Sequence, residues 1–267
     1  MTHEIYARTD SGGVQLAANA DRWHLEDDHV HLSPHHAERG VRLRIAAEEK
    51  PIVDDTDRMA VVVIDMQNDF CSPGGWTEQA GMDTERCRAA IPGVQRAITW
   101  AREHDLWVIW VEWANRLDLR NLGAPTLYSF KKEPSMRGIG EELEHGGVLL
   151  QDSWGARTVD GLAELRRDDD IVIDKVRMSG FYGTHLDQVL RTQGIKTLFF
   201  TGVNTDQCVT TTMEDAYFRD YNAILVEDAT TTSSPDFCKE AVVHNAKLCW
   251  GFVTDSERLQ QASAWQG

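Results

Sequence analysis

Three residues of the 267-residue chain have the types that amide chemistry needs: Asp65 in VVVIDMQNDF, Lys175 in IVIDKVRMSGF and Cys208 in FFTGVNTDQCV. A thiol can attack a carbonyl carbon, a carboxylate can carry the proton, and an amine can hold the charge that develops. Each residue has an ordinary alternative, since strand-end Asp and Lys are usually solvated or paired and a lone Cys is usually a small core residue. What raises them above that is their shared placement, because each follows a short apolar run that reads as a buried strand.

The elements that must position them are legible from residue 59 onward. MAVVVI (59–64) is continuous and β-branched, as a strand buried on both faces should be. Further runs are LWVIWVEW, IVIDK (171–175), KTLFFTGV (196–203), NAILVED and WGFV, with helices expected at about 88–104, 184–193, 207–220 and 236–247. Strands alternating with such helices imply right-handed crossovers and a parallel sheet covered on both faces. The fold class is therefore α/β, a three-layer α/β/α sandwich with a mostly parallel, Rossmann-like sheet. Ligands of such sheets bind beyond the carboxyl ends of the strands, where all three residues fall.

Cys208 is expected at the start of a helix, near unpaired N–H groups and the positive end of the helix dipole. That setting, with Lys175 beside it, favours the thiolate and predicts a lowered thiol pKa and preferential alkylation at neutral pH. The other cysteines, Cys71, Cys87, Cys238 and Cys249, lack this setting. Five widely spaced cysteines without a CxxC pair argue against a disulfide framework or a zinc ribbon.

Residues 1–58 read as an N-terminal arm and 59–267 as the domain that carries the three residues. The arm carries five histidines between His24 and His36. His29 and His31 would share a strand face, but no cysteine or suitably spaced acid completes a metal shell, so the arm is read as solvated or packed against a subunit and no metal is assigned. VRLRI (41–45) is expected to form a short strand. The loop-rich stretch 115–147 is long enough to be a lid or binding loop.

A net charge of −16, from 27 basic and 43 acidic residues, disfavours nucleic acid and anionic membrane as partners. No apolar run reaches membrane-spanning length and the start lacks the order of a signal peptide, so a cytoplasmic location is expected.

The three motifs, in this order and each ending a predicted strand, resemble the signature regions of the isochorismatase-like cysteine hydrolases over about residues 58–260. The resemblance implies Asp65 as general acid/base, Lys175 as the amine that polarises the thiol, and Cys208 as nucleophile. It also implies a cis peptide at Val203–Asn204 and an oxyanion hole from the backbone N–H groups of Asn204 and Cys208, with no cofactor. Isochorismatases proper lack the cysteine, and metal-containing nicotinamidases carry Asp-x-His where this chain has Asp118, Leu119 and Arg120; both activities are disfavoured.

SPGGWTEQAG and the long segment around Cys208 resemble ureidoacrylate amidohydrolases, whereas ANRLDLRNL resembles biuret hydrolases. A small linear ureide is thus the expected substrate, with another small-amide hydrolase or a silent ligand-binding relative as alternatives. A homo-oligomer, dimer or tetramer, is the expected assembly. Gln67, Phe70, Glu112, Asn115, Met178, Ser179 and Tyr182 are the expected substrate contacts. Among them Glu112 would set the charge of the substrate, by holding an amide or a cation and repelling an acid unless Arg116, Arg120 or Arg177 offsets it.

Overall fold

The computed structural model describes residues 6–8, 13–16, 23–25, 27, 30–31 and 40–266. All six expected apolar runs are strands: β1 (Met59–Ile64), β2 (Trp107–Trp113), β3 (Ile171–Lys175), β4 (Thr197–Val203), β5 (Asn222–Thr231) and β6 (Gly251–Thr254). Every residue of β1 and β4 is buried, as the continuous apolar sequence of β1 and the charge-free one of β4 allow. The strands are parallel and lie in the order β3-β2-β1-β4-β5-β6.

That order reverses direction between β1 and β4. Chain connections leave those two neighbours on opposite sides of the sheet, and a crevice opens beyond their carboxyl ends. Gly202 lets the strands approach there: its φ is +108°, and a Cβ at this position would sit 2.0 Å from the Ile64 carbonyl oxygen.

The longer helices among the described residues are α1 (Ile91–Glu103), α2 (Ala124–Phe130), α3 (Leu186–Thr192), α4 (Thr210–Tyr217) and α5 (Asp236–Asn245). α1 turns its apolar stripe, including Val94, Ala97, Ile98 and Ala101, into the core, where Trp100 meets Phe199 edge-on at 5.0 Å. None of the helices among the described residues is long and apolar enough to cross a membrane.

The described pieces of the N-terminal region, Tyr6–Arg8, Val14–Leu16, Trp23–Leu25 and Val30–His31, pair antiparallel in sequence order. His29 lies outside the described residues, and so does the shared face proposed for it with His31. No metal-sized group of His, Cys, Asp and Glu occurs among the described residues. The expected strand at 41–45 forms as Arg42–Ile45, paired with Ile52–Asp55 and Ser263–Ala264, and it buries Leu43 and Ile45 in the core.

Candidate active site

The crevice at the strand-order reversal gathers the three residues. Asp65 directly follows β1 with φ +50°, a left-handed turn that Asp tolerates better than most side chains. Its N–H donates to Val111 O at 2.9 Å, which fixes the turn to the end of β2. Lys175 is the last residue of β3 and pairs in register with Trp113 of β2. Cys208 sits in a wide helical turn, Thr205–Val209, that runs into α4.

Their side chains meet where water does not reach: Asp65 and Lys175 are 1 % exposed and Cys208 5 %. Lys175 Nζ stands 2.8 Å from Asp65 Oδ2 and 3.4 Å from Cys208 Sγ. The same ammonium donates to Arg177 O at 3.1 Å and lies 4.0 Å from the centre of the Trp113 ring, so a cation–π contact replaces part of its lost hydration. The Asp65 carboxylate meets Lys175 as an ion pair and not through an aligned hydrogen bond, which leaves its oxygens able to take a proton.

Burial raises the Asp65 carboxyl above its ordinary value, with the nearby Lys175 charge opposing that shift. Burial also pushes the Cys208 thiol up, Asp65 adds to this, and Lys175 pulls the other way. The helix-start position expected for Cys208 is therefore found, but the lowered thiol pKa argued from it is not. Desolvation of an anion in a closed site outweighs the pull of the Lys175 ammonium, so the shift of the thiol is upward.

The peptide Val203–Asn204 is cis. Both residues line the cavity beside Cys208. The Asn204 side chain is held away from it, its Oδ1 accepting from Ser233 N at 3.0 Å and from the Cys87 thiol at 3.7 Å.

A cavity of about 230 Å³ opens onto Cys208 and Asp65. Of the seven expected substrate contacts, Phe70 and Met178 line it, with Met178 Sδ 3.6 Å from the Cys208 sulfur. The other five do not. Gln67 and Asn115 are fully buried and bind backbone: Gln67 clasps Trp113 N and O at 2.7 and 2.9 Å, and Asn115 donates to Leu149 O at 2.9 Å. Ser179 donates to Asp215, and with the exposed Tyr182 it lines a shallow outer groove behind Met178. Glu112 faces a separate pocket, where it accepts from Thr158 and from Arg166, each at 2.7 Å. Side chains alternate along a strand, and since Trp113 faces Lys175, Glu112 must face the opposite side of the sheet.

The walls that the sequence reading missed are Trp76, Ala80 and Met82 from one side, and Ser129, Phe130, Lys132 and Met136 from the other. The second group belongs to the 115–147 segment, whose length had marked it as a lid or binding loop. It is fastened in place by Trp76 Nε1 donating to Arg137 O at 2.8 Å, and by Phe130 packing on Trp76 and Trp113 at 4.8 and 4.9 Å between ring centres. Asp69 ties this wall to the next loop, accepting from Trp76 N at 3.2 Å and Leu149 N at 2.7 Å. Gly155 packs against that carboxylate so closely that a Cβ would lie 2.0 Å from it.

A parallel sheet with a thiol, an amine and a carboxylate converging at its strand-order reversal defines a class of α/β domain built to act on a small molecule at that edge. Comparison with known proteins narrows the class: residues 59–258 match the isochorismatase domain model, and the chain belongs to that family. Among solved structures, an isochorismatase family protein from Desulfovibrio vulgaris is 26 % identical, with a TM-score of 0.62 over 76 % of this chain and 97 % of that one. An N-carbamoylsarcosine amidase from Thermoplasma acidophilum is also 26 % identical, with a TM-score of 0.58 over 75 % and 97 % of the two chains. A cysteine hydrolase from Pseudomonas syringae shares the fold at 23 % identity, with a TM-score of 0.64 over 84 % and 99 %.

Proposed function

We propose that this chain is a cysteine amidohydrolase that cleaves a C–N bond of a small linear ureide or related amide. The observation that carries the proposal is the placement of one buried ammonium 2.8 Å from Asp65 Oδ2 and 3.4 Å from Cys208 Sγ, at the closed end of a small cavity. The similarity to an enzyme named for an N-carbamoyl substrate supports the ureide reading.

Attack begins as Cys208 Sγ bonds to the carbonyl carbon and its proton passes to Asp65. Burial raises both the Asp65 carboxyl and the Cys208 thiol, and the Lys175 ammonium beside them favours the anionic form of each. Charge balances because Lys175 stays cationic while the negative charge passes from the Asp65 carboxylate, by way of sulfur, to the former carbonyl oxygen of the substrate. The tetrahedral oxyanion is received by the backbone N–H groups of Asn204 and Cys208. Collapse breaks the C–N bond, Asp65 returns the proton to the departing nitrogen, and ammonia or an amine leaves an S-acyl or S-carbamoyl enzyme. A water then gives a proton to Asp65 and attacks the thioester, and the freed thiolate recovers that proton.

Ammonia release from a panel of ureidoacrylate analogues, biuret, guanylurea, N-carbamoyl amino acids and nicotinamide tests the reading, with Cys208→Ala as control. Turnover of a ureide that the variant abolishes is expected. A selective preference for nicotinamide would overturn the substrate class, and full activity in the variant would overturn the mechanism.

A further inference from the structure

We propose, resting on the hydrolase reading above, that residues 232–234 form a strap that positions the nucleophile turn, with Thr232 and Arg86 as positioning residues. Neither lines the cavity that opens onto Cys208; both border a separate pocket outside it. Whatever they contribute to the reaction passes through other groups.

The turn Thr205–Val209 is held in two different ways. Wide helical turns are rare and occur mostly as single turns at functional sites. Toward α4 its carbonyls are secured by hydroxyls of the same stretch: Thr210 Oγ1 donates to Thr205 O at 2.6 Å, Thr211 Oγ1 to Gln207 O at 2.8 Å and Thr212 Oγ1 to Cys208 O at 2.6 Å. Toward β4 the Asn204 carbonyl accepts from Gln207 N at 3.0 Å and Val209 N at 3.2 Å. The side chains of that half, Asn204, Asp206 and Gln207, find their partners outside the turn.

Three consecutive residues just past β5 supply them. Thr232 Oγ1 donates to Asp206 Oδ1, Ser233 N donates to Asn204 Oδ1 at 3.0 Å, and Ser234 Oγ accepts from Gln207 Nε2 at 3.4 Å. The buried Thr232 hydroxyl also accepts from Ser234 N at 3.0 Å, so one oxygen both holds the turn and shapes the strap. Two of the residues so held, Asn204 and Gln207, line the cavity, and Cys208 follows directly.

The strap is fixed in turn from the short helix Thr84–Arg88. Arg86 donates from Nε to Thr232 O at 3.0 Å and from Nη2 to Ser234 O at 3.1 Å, and it pairs with Asp236. Its planar fork reaches both carbonyls at once, which a lysine ammonium cannot match. Cys87 adds a second tie: its carbonyl accepts from Thr231 Oγ1 at 3.2 Å, and its thiol donates to Asn204 Oδ1 at 3.7 Å.

Attack needs the Cys208 sulfur and the N–H groups of Asn204 and Cys208 in fixed relation to the carbonyl. A displacement of about 1 Å caused by a remote change can cost about a hundredfold in rate. Phe70, Trp76 and Phe130 wall the cavity from other elements, so loosening the strap should weaken kcat and leave KM nearly alone.

The test uses steady-state kinetics on whichever ureide the wild type turns over, with Thr232→Val, Thr232→Ser, Arg86→Gln and the double variant Thr232→Val/Arg86→Gln. Valine keeps the shape of threonine and loses its hydroxyl, whereas serine keeps the hydroxyl. We expect kcat to fall about tenfold to a hundredfold in Thr232→Val, with KM within about twofold, and to be largely restored in Thr232→Ser. Arg86→Gln should fall in the same sense, and the double variant should lose less than the product of the two single losses, because both act through one strap. Wild-type kcat in Thr232→Val, a loss confined to KM, or Thr232→Ser no better than Thr232→Val would overturn the strap and leave the hydrolase reading intact. Iodoacetamide labelling of Cys208 at alkaline pH needs no turnover. Labelling at least about threefold faster in Thr232→Val and Arg86→Gln than in wild type and Thr232→Ser is expected, since a loosened turn exposes the sulfur. Equal rates would overturn the strap. Faster labelling in those variants, with no amide turned over by the wild type, would overturn the hydrolase reading and keep the strap.

Discussion

Lys175 Nζ lies 2.8 Å from Asp65 Oδ2 with both side chains removed from water, so each charge depends on the other for compensation. Removing one partner of such a pair leaves a buried charge alone, at a cost of about 3 to 5 kcal/mol. Lys175→Met is expected to lower the unfolding free energy by that amount at neutral pH, read as a lower denaturant midpoint, and adding Asp65→Asn should recover part of the loss. Both variants should be inactive, which separates the stability of the pair from its chemistry. Equal midpoints for wild type and Lys175→Met would show that the charge is compensated elsewhere.

The pH profile should report the same cluster. Asp65 must be ionised to take the thiol proton, and burial lifts its carboxyl above the ordinary 3.8 while Lys175 opposes the shift. As pH falls through that raised value the ionised fraction is lost, so the acidic limb of kcat/KM should lie above 3.8. The apparent value belongs to the coupled cluster and not to one residue. Any residual activity of Lys175→Met should show the limb moved further up, because the opposing charge is gone. A limb at or below 3.8 would contradict the assignment.

Thiol labelling should follow exposure, not catalytic role. Cys249 is exposed and Cys208 buried with a thiol pushed up in pKa. In the substrate-free protein at neutral pH, iodoacetamide is expected to modify Cys249 ahead of Cys208, with Cys208 labelling rising only as the solution becomes alkaline. Peptide mapping after timed quenching reads the order. Fast, pH-independent labelling of Cys208 would show a standing thiolate.

The aromatic wall should matter to both folding and substrate binding. Phe130 is buried between Trp76 and Trp113. Phe130→Ala is expected to cost about 3 kcal/mol and to raise KM, since the wall both packs the core and shapes the cavity. Trp76→Phe removes the hydrogen bond to Arg137 O, worth about 1 kcal/mol, and part of the ring that packs on Phe130, while keeping an aromatic wall. Thermal melts and steady-state kinetics on the two variants check the order.

Much of this was readable in the sequence because the sheet is buried on both faces. MAVVVI is a continuous apolar run and KTLFFTGV has an apolar centre, and the residues just past them lie at the ligand-binding edge. Glu112 lies on the far face because its strand neighbour Trp113 pairs with Lys175, and that register between two strands distant in sequence is not legible without the fold. Phe130, Lys132 and Met136 were not legible. Their segment carries no strand-end position, and only the packing of Trp76 and Phe130 brings it over Cys208. The thiol pKa was misjudged because local sequence shows a helix terminus but not how deeply the sulfur is buried or that Asp65 stands beside it.

The central claim is that Cys208 forms a covalent intermediate with the substrate carbonyl. Intact-mass spectrometry of enzyme acid-quenched during turnover of a slow ureide, followed by peptide mapping, tests it most directly. A thioester-linked acyl or carbamoyl mass on the Cys208 peptide, absent from Cys208→Ala together with its activity, is the predicted result. Turnover by Cys208→Ala at the wild-type rate, or an adduct mapped to another residue, would contradict it.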